Sequence, residues 1–298
     1  MERYFLSVAL FLCATFMHMM HSVLIKKIGL QGVYSTYELI FLRSFISFCV
    51  LLPFFATKKL KFIERKNLLP NLFVAMFAII GSYCWHYGLS MVPVNSAITI
   101  NFLIPMAIPV MAILILKDKV SKTLIISIIL CFITILCFYK PRAVFQFGYL
   151  LLLVDVFSYS TSIALSKKLM LKKQSPVSLV FFKVSIICIT SVHVIPTLIQ
   201  KIKADPSILI SSSIVTLCYL CETILFLTAY KFVKVSKLQP LYYTRIVFGA
   251  LISYFILGEE VKNTQIIVAI IIVLINFNLI RYEALKKRKN KLKNEITN

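Results

Sequence analysis

The chain is a succession of apolar stretches, each about 20 residues long, separated by short polar and basic segments. A transmembrane α-helix needs about 20 predominantly apolar residues to cross the hydrocarbon core of a bilayer. Here 60% of the residues are hydrophobic and only 15% are charged, whereas soluble domains carry about 25% charged residues. A soluble globular protein of this size needs more polar residues to cover its surface than this composition supplies. The sequence therefore predicts an integral membrane protein that crosses the bilayer many times.

About ten apolar stretches are predicted to form transmembrane helices, which makes the predicted fold all-α. They cover residues 4–25, 33–55, 69–90, 94–116, 121–139, 147–165, 175–198, 208–230, 236–257 and 263–281. The uncharged stretch from Asn67 to Leu116 is too long for one span, so we expect a turn near Pro93-Val94-Asn95. The first stretch is long enough to span and has no obvious cleavage site, which favours an uncleaved helix over a signal peptide.

Lysine and arginine are concentrated in alternate connecting segments, on the side of the membrane that holds the N-terminus. Cytoplasmic segments carry this excess in membrane proteins, so we expect both termini in the cytoplasm and the protein in the cell inner membrane. Residues 282–298 form a predicted basic cytoplasmic tail that could contact anionic membrane lipid. The formal net charge of +22 therefore reflects topology, and we expect no nucleic-acid partner.

A shift of 141 positions brings the two halves of the chain into register. The matched segments pair Lys26-Lys27 with Lys167-Lys168, Val92-x-Val94 with Val233-x-Val235, and Asp118-Lys119-Val120 with Glu259-Glu260-Val261. Phe41-Leu42-Arg43 meets Phe181-Phe182-Lys183 nearly in register. Each half has five predicted helices, an odd number, so the second half enters the membrane in the opposite sense. Such inverted repeats permit alternating access, which predicts a carrier.

Several short motifs occur in a characteristic order. They are Glu38-x-x-Phe41-x-Arg43, Trp85-x-Tyr87-Gly88-Leu89-x-x-Val92-Pro93-x-x-Ser96-Ala97, Pro105, and Gly258-Glu259. With these motifs the chain resembles the ten-helix EamA-type carriers of the drug/metabolite transporter superfamily, over nearly its whole length. The resemblance implies two EamA-like repeats, residues 1–139 and 140–281.

Within that superfamily, the run from Glu38 to Pro53 and the block from Trp85 to Pro105 are most similar to S-adenosylmethionine uptake carriers of obligate intracellular bacteria. The resemblance implies uptake of S-adenosylmethionine or a similar nucleoside- or amino-acid-like metabolite. An exporter of amino acids or drugs is the alternative, because the sequence hardly distinguishes importers from exporters. Substrate, coupling ion and oligomeric state stay open.

Five charged residues fall inside predicted spans, where each costs about 2.5–3.5 kcal/mol at a helix centre. They are Arg43, Asp155, Lys183, Glu222 and Arg245. Arg43 and Lys183 occupy related positions, and we expect a structural or gating role for them. Glu222 and Arg245 could bind the ammonium and carboxylate of a zwitterion, Glu222 could accept a coupled proton, or the two could form an ion pair. Asp155 could bind a cationic group or pair with Lys183.

Uncharged residues complete the predicted site. Trp85 and Tyr243 could line the cavity and hold a planar or cationic group, although aromatic residues also anchor helices at membrane interfaces. Asn101 could bond the substrate or a neighbouring helix. Pro105 and Pro109, one turn apart, are expected to bend the fourth helix, either for gating or for packing.

Other chemistry is not expected. A multi-span membrane enzyme would need clustered His, Asp or Glu, or a glycine-rich phosphate loop, and no such motif is present. Cys218-x-x-Cys221 has the spacing of a metal or redox site but no completing ligands nearby. His18 and His21 share one helix face, and membrane histidines are usually plain hydrogen-bonding groups. We predict no catalytic residue, cofactor or metal.

Overall fold

A computed structural model describes residues 2–29, 33–56, 67–92, 100–139, 147–258, 263, 266–268, 270–278, 281–282 and 285. These residues form α-helices, 3-10 helices and short connections, and no strand occurs among them. The α-helices are α1 Glu2–Gly29, α2 Thr36–Ala56, α3 Leu68–Met91, α4 Ile104–Leu116, α5 Lys122–Tyr139, α6 Phe147–Leu171, α7 Pro176–Thr190, α8 Ile195–Ala204, α9 Ser207–Phe232, α10 Arg245–Leu257 and α11 Ile266–Asn278. Two 3-10 helices, Val192–Val194 and Val235–Thr244, precede α8 and α10.

Six helical segments are long and apolar enough to cross a membrane, and they are Arg3–Ile25, Tyr37–Phe55, Leu68–Trp85, Phe147–Leu171, Ser207–Phe232 and Val235–Leu257. A seventh results if α7 and the following Val192–Ala204, bent by 52°, count as one span. The apolar helices α4, α5 and α11 are shorter. The all-α, multi-pass prediction is confirmed, whereas the count of ten spans and the orientation stay predictions. The turn at Pro93-Val94-Asn95 and most of the tail 282–298 lie outside the described residues.

Three predicted spans are interrupted rather than continuous. The span 94–116 breaks at a turn over Phe102 and Leu103, just before α4. The span 236–257 starts in 3-10 form, and the span 175–198 bends at Val192–Val194. Helix α4 thus begins at Ile104 and α10 at Arg245, positions related by the 141-residue shift.

The two prolines of the fourth span have different surroundings. Pro105 lies in the first turn of α4, where the backbone N–H that proline lacks would have no intrahelical partner. The chain therefore begins a new helix there, which corrects the expectation that Pro105 bends a continuous one. Pro109 lies inside α4, as expected.

Helices from the two halves are interleaved. Helix α1 packs along α9, α3 packs along α6, and α4 packs on the 3-10 helix Val235–Thr244. At the crossing of α3 and α6, a Cβ atom on Gly88 would lie 3.0 Å from the carbonyl oxygen of Gly148 and 2.7 Å from Cγ of Leu152. Small residues permit this close approach of two helix backbones. Large apolar side chains such as Ile189 and Phe255 remain exposed on the outside of the protein, as expected next to lipid.

Candidate functional site

Glu222 of α9 forms the centre of a buried polar cluster with two histidines of α1. Its Oε1 lies 2.6 Å from Nδ1 of His18, and its Oε2 lies 3.5 Å from Nδ1 of His21. The two histidines are three residues apart, so they share the helix face that packs on α9. Charge-assisted hydrogen bonds of this kind are stronger than those between neutral groups. His18 therefore satisfies one oxygen of a carboxylate that is only 7% exposed, whereas Oε2 has no hydrogen-bond partner among the described residues.

Arg43 of α2 fixes the orientation of the second histidine. Its Nη1 lies 3.3 Å from Nε2 of His21. A guanidinium group can only donate hydrogen bonds, so Nε2 must accept and the His21 proton resides on Nδ1, on the side of Glu222. The side chain of His18 is 26% exposed and is the more accessible member of the pair.

One face of α9 organises the rest of the cluster. Tyr219 lies one turn before Glu222 and Phe226 one turn after it, and all three are buried. The guanidinium carbon of Arg43 lies 4.2 Å from the Tyr219 ring centroid, and Nζ of Lys183 lies 5.5 Å from it. The two related cations of the halves therefore approach the same ring.

Arg245, the first residue of α10, has aromatic and hydroxyl partners. Its guanidinium carbon lies 3.6 Å from the Tyr242 ring centroid and 5.6 Å from that of Phe226, and Nη1 donates to the Tyr242 hydroxyl. That hydroxyl donates in turn to Oδ1 of Asn101, 3.0 Å away. Nε and Nη2 of Arg245 have no hydrogen-bond acceptor among the described residues. The two groups therefore remain able to bind an anionic group.

The structure answers two alternatives that the sequence left open. The described contacts of Glu222 are with His18 and His21, and those of Arg245 are with aromatic rings and the Tyr242 hydroxyl, so the two charges do not form a mutual ion pair. Asp155 is buried on α6 against α3, where a Cβ atom on Gly81 would lie 3.0 Å from its Oδ1. It has no ion-pair partner among the described residues, and Lys183 lies at Tyr219 instead.

Two aromatic residues that the sequence placed in the cavity have other surroundings. Trp85 packs against the apolar cluster of Val92 and Leu152, between α3 and α6. Tyr243 is fully buried in a second apolar cluster, and its hydroxyl donates to the carbonyl oxygen of Phe102 at 3.2 Å. Tyr242, not Tyr243, contacts Arg245, because the two successive residues point in different directions from the 3-10 helix.

Sequence reasoning did not assign His18, His21 or Tyr219 to the site, and of two successive aromatic residues that could hold a substrate group it favoured Tyr243 over Tyr242. The three-residue spacing of the histidines was a usable signal, since it places both rings on one face of α1. Tyr242 also carried a signal, because it occupies the position equivalent to Asn101 in the repeat. Tyr219 carried none, since one more aromatic residue in an apolar helix is unremarkable as a pattern.

Among the described residues, one group of three metal-ligating side chains lies close together. Ligand atoms of His18, His21 and Glu222 all lie within 4.8 Å of one another. Two histidines and a carboxylate can hold a transition-metal ion. Arg43 directs the proton of His21 towards Glu222 and adds positive charge beside the group. Both effects disfavour the binding of a metal cation. We therefore interpret His18, His21 and Glu222 as a polar network and not as a metal site.

Helical membrane spans that bury charged side chains from both halves of the chain are typical of transporters built from internal repeats. This chain belongs to the EamA-like transporter family, whose model matches residues 5–140 and again residues 146–278. The two matches confirm that the chain contains two related repeats.

Relatives that match most of the chain are named S-adenosylmethionine uptake transporters. An S-adenosylmethionine uptake transporter of Rickettsia bellii (strain RML369-C) is 25% identical over 280 residues, which cover 92% of each chain. The S-adenosylmethionine uptake transporter of Rickettsia prowazekii (strain Madrid E) is 24% identical over 276 residues, again 92% of each chain. A protein of known crystal structure has the same fold, with a TM-score of 0.69 at 13% identity over 92% of this chain and 96% of that one.

Proposed function

We propose that this protein is a secondary transporter that moves a small organic metabolite across the cell inner membrane by alternating access. The observation that carries the proposal is the buried charged cluster on one face of α9, to which both halves of the chain contribute. Charged side chains inside a membrane are costly and usually mark the pathway of a substrate or ion. The family, and the uptake transporters among the relatives, support the same function.

The proposed architecture has ten spans in two inverted five-helix repeats, residues 1–139 and 140–281, with both termini in the cytoplasm. The interleaved packing of α1 with α9 and of α3 with α6 supports a symmetric relation of the halves. The equivalent starts of α4 and α10 support it further. Interrupted helices of this kind form substrate sites near the bilayer midplane in inverted-repeat transporters.

The proposed substrate is S-adenosylmethionine or a similar nucleoside- or amino-acid-like compound. Its ammonium group would bind at Glu222 in place of the His18 contact, and its carboxylate would bind the free donors of Arg245. Asn101 and Asp155 would supply further polar contacts. We assign Trp85 and Tyr243 to the walls around the site, since both pack in apolar clusters. Arg43 and Lys183, with Pro105 and Pro109, keep their proposed structural or gating roles.

Import is the proposed direction, because the relatives are uptake transporters. Export of amino acids or drugs is the alternative. The contact between His18 and Glu222 could support export by binding a proton that is exchanged for the substrate. If a proton bound at this pair were exchanged for the substrate, the inward proton gradient would drive the substrate outward.

Accumulation of labelled S-adenosylmethionine in a bacterium that lacks its own carrier tests the proposal. We expect saturable uptake by the wild type and at least a tenfold loss with Glu222→Gln or Arg245→Ala, because truncating a buried charged partner typically costs 2–5 kcal/mol. Glu38→Gln is the matched control, since Glu38 is an equally buried carboxylate outside the cluster. Absence of uptake by correctly inserted protein would exclude this substrate, and outward movement from preloaded cells would favour export.

A further inference from the structure

The buried cluster contains more positive than negative charge. Arg43 and Arg245 are 9% and 6% exposed, and Lys183 is half-buried beside them. Glu222 already accepts from His18, and Asp155 pairs with none of the three cations among the described residues. Burying a charge without a counter-charge is unfavourable. The cluster therefore requires more negative charge than the described side chains supply.

Arg245 accounts for one anionic group, the carboxylate of the proposed substrate. Arg43 and Lys183 form a second positive pair, brought together by α2 and α7 from related positions of the two repeats. Both approach the ring of Tyr219, at 4.2 Å and 5.5 Å from its centroid. Lys183 also hydrogen-bonds the Tyr219 side chain, but neither this bond nor attraction to a ring face replaces a salt bridge to an anion, and two cations at one ring repel each other.

The hydrogen bonds of Arg43 also indicate that the cluster lacks an anionic group. Nη1 faces Nε2 of His21, whereas Nε is buried and has no acceptor among the described residues. A buried donor without an acceptor is unfavourable, and native proteins rarely keep one without a functional reason. Arg43 thus combines an uncompensated charge with an unused donor.

We propose that Arg43 and Lys183, together with the Tyr219 ring, form an anion-binding subsite for an oxyanion, a phosphate or a carboxylate group. A guanidinium group binds such oxygens with directed N–H donors, and an ammonium group adds a compact charge. The bound oxyanion is either a separate small anion or the carboxylate of the substrate, bound here instead of at Arg245. As part of a transport pathway the subsite rests on the proposed function, but anion binding can be measured without transport.

Thermal unfolding of the purified full chain tests the subsite with inorganic phosphate as the probe, at constant ionic strength against chloride. We expect the wild-type Tm to rise saturably with phosphate, as for any ligand that binds only the folded state. Lys183→Gln should raise the half-saturating concentration at least tenfold, and Lys183→Arg should restore it. Lys168→Gln is the matched control, an exposed lysine one helix away.

The variants also separate anion binding from a purely structural role. Because Lys183 has no carboxylate partner among the described residues, Lys183→Gln should leave the Tm in chloride unchanged or raise it, whereas a purely structural role would make the Tm fall. A wild-type Tm that does not respond to phosphate, or a Lys183→Gln variant with the wild-type response, would overturn the proposal.

Counterflow of labelled S-adenosylmethionine in proteoliposomes distinguishes the two sources of the anion. Phosphate that accelerates wild-type counterflow but not that of Lys183→Gln identifies a separate co-bound anion. Phosphate that inhibits counterflow competitively identifies the carboxylate of the substrate as the group that binds this subsite in place of Arg245. If S-adenosylmethionine is not carried at all, the proposed substrate fails, while a saturable phosphate effect on the wild-type Tm still supports the subsite.

Discussion

Tyr242 donates its hydroxyl to Oδ1 of Asn101 across 3.0 Å, and the two residues are 141 positions apart, the repeat shift of the sequence. The next pair repeats the relation, since Tyr243 donates to the carbonyl oxygen of Phe102. Equivalent residues of two halves related by a twofold axis can touch only where that axis passes between them. The break before α4 and the 3-10 helix before α10 therefore lie at the proposed centre of symmetry, beside Arg245.

Tyr242→Phe should impair transport more than Tyr243→Phe. The first change removes the hydroxyl that joins Arg245 to Asn101, whereas the second removes one hydrogen bond inside an apolar cluster. Each should cost about 1–3 kcal/mol of stability, because a buried polar partner is left unsatisfied. Tyr242→Phe should in addition raise KM for the substrate. Paired measurements of Tm and uptake kinetics check this, and equal KM values for the two variants would contradict it.

Glu222 should be energetically coupled to His18 and not to Arg245. A double-mutant cycle with Glu222→Gln and His18→Gln should give an interaction energy of about 0.5–3 kcal/mol, the range for residues in one hydrogen-bond network. The cycle of Glu222→Gln with Arg245→Gln should give a smaller value, since the two side chains share no direct contact. Unfolding midpoints of the purified variants supply both numbers. If the cycle with Arg245 gave the larger interaction energy, Glu222 and Arg245 would form the ion pair that the sequence allowed.

Gly88→Ala should destabilise the contact of α3 with α6, whereas Gly249→Ala should be tolerated. A Cβ atom on Gly88 would meet Leu152 at 2.7 Å and backbone oxygen at 3.0 Å, and such overpacking costs about 1–3 kcal/mol. At Gly249 the nearest atom is the terminal Cε of Met19, on a flexible side chain that can move aside. Both variants gain the same helix propensity, so the difference between their unfolding temperatures isolates packing. Equal temperatures would refute the close crossing.

Glu38→Ala should destabilise the protein more than Lys201→Ala. Glu38 Oε2 accepts from the backbone N–H of Ser35 and from Nζ of Lys201, each at 2.7 Å. The Ser35 hydroxyl accepts from the backbone N–H of Glu38, which completes a capping box at the start of α2. Loss of a cap costs about 0.5–2 kcal/mol, whereas a partly exposed ion pair contributes about 0–1 kcal/mol. Thermal unfolding checks the order, and KM should stay unchanged in both variants.

Much of the fold follows from the length and spacing of apolar stretches. Six or seven described helical segments are long and apolar enough to span, and they coincide with predicted spans because crossing a bilayer imposes a narrow range of helix lengths. The interruptions could not be predicted in the same way. Pro105 disfavours a continuous helix through Phe102 and Leu103, but a proline can also kink a span without ending the helix, so the sequence alone predicted a bend and not a break.

The candidate site was only partly predictable. Membrane burial marks any charged residue as exceptional, so Arg43, Glu222 and Arg245 were evident from the sequence. Their partners were not, because His18 and Glu222 lie 204 positions apart, and one sequence carries no signal for which distant residues meet. Trp85 packs between two helices, which the sequence did not indicate, and its place in the wall of the site stays a prediction.

Counterflow of labelled S-adenosylmethionine in proteoliposomes tests the central claim most directly, namely that this chain is an alternating-access carrier with its substrate site at Glu222. With unlabelled substrate inside, we expect wild-type vesicles to show a transient overshoot of label that saturates with concentration. Folded Glu222→Gln protein should show no overshoot. A flux that rises linearly without overshoot, or an overshoot undiminished in Glu222→Gln, would contradict the account.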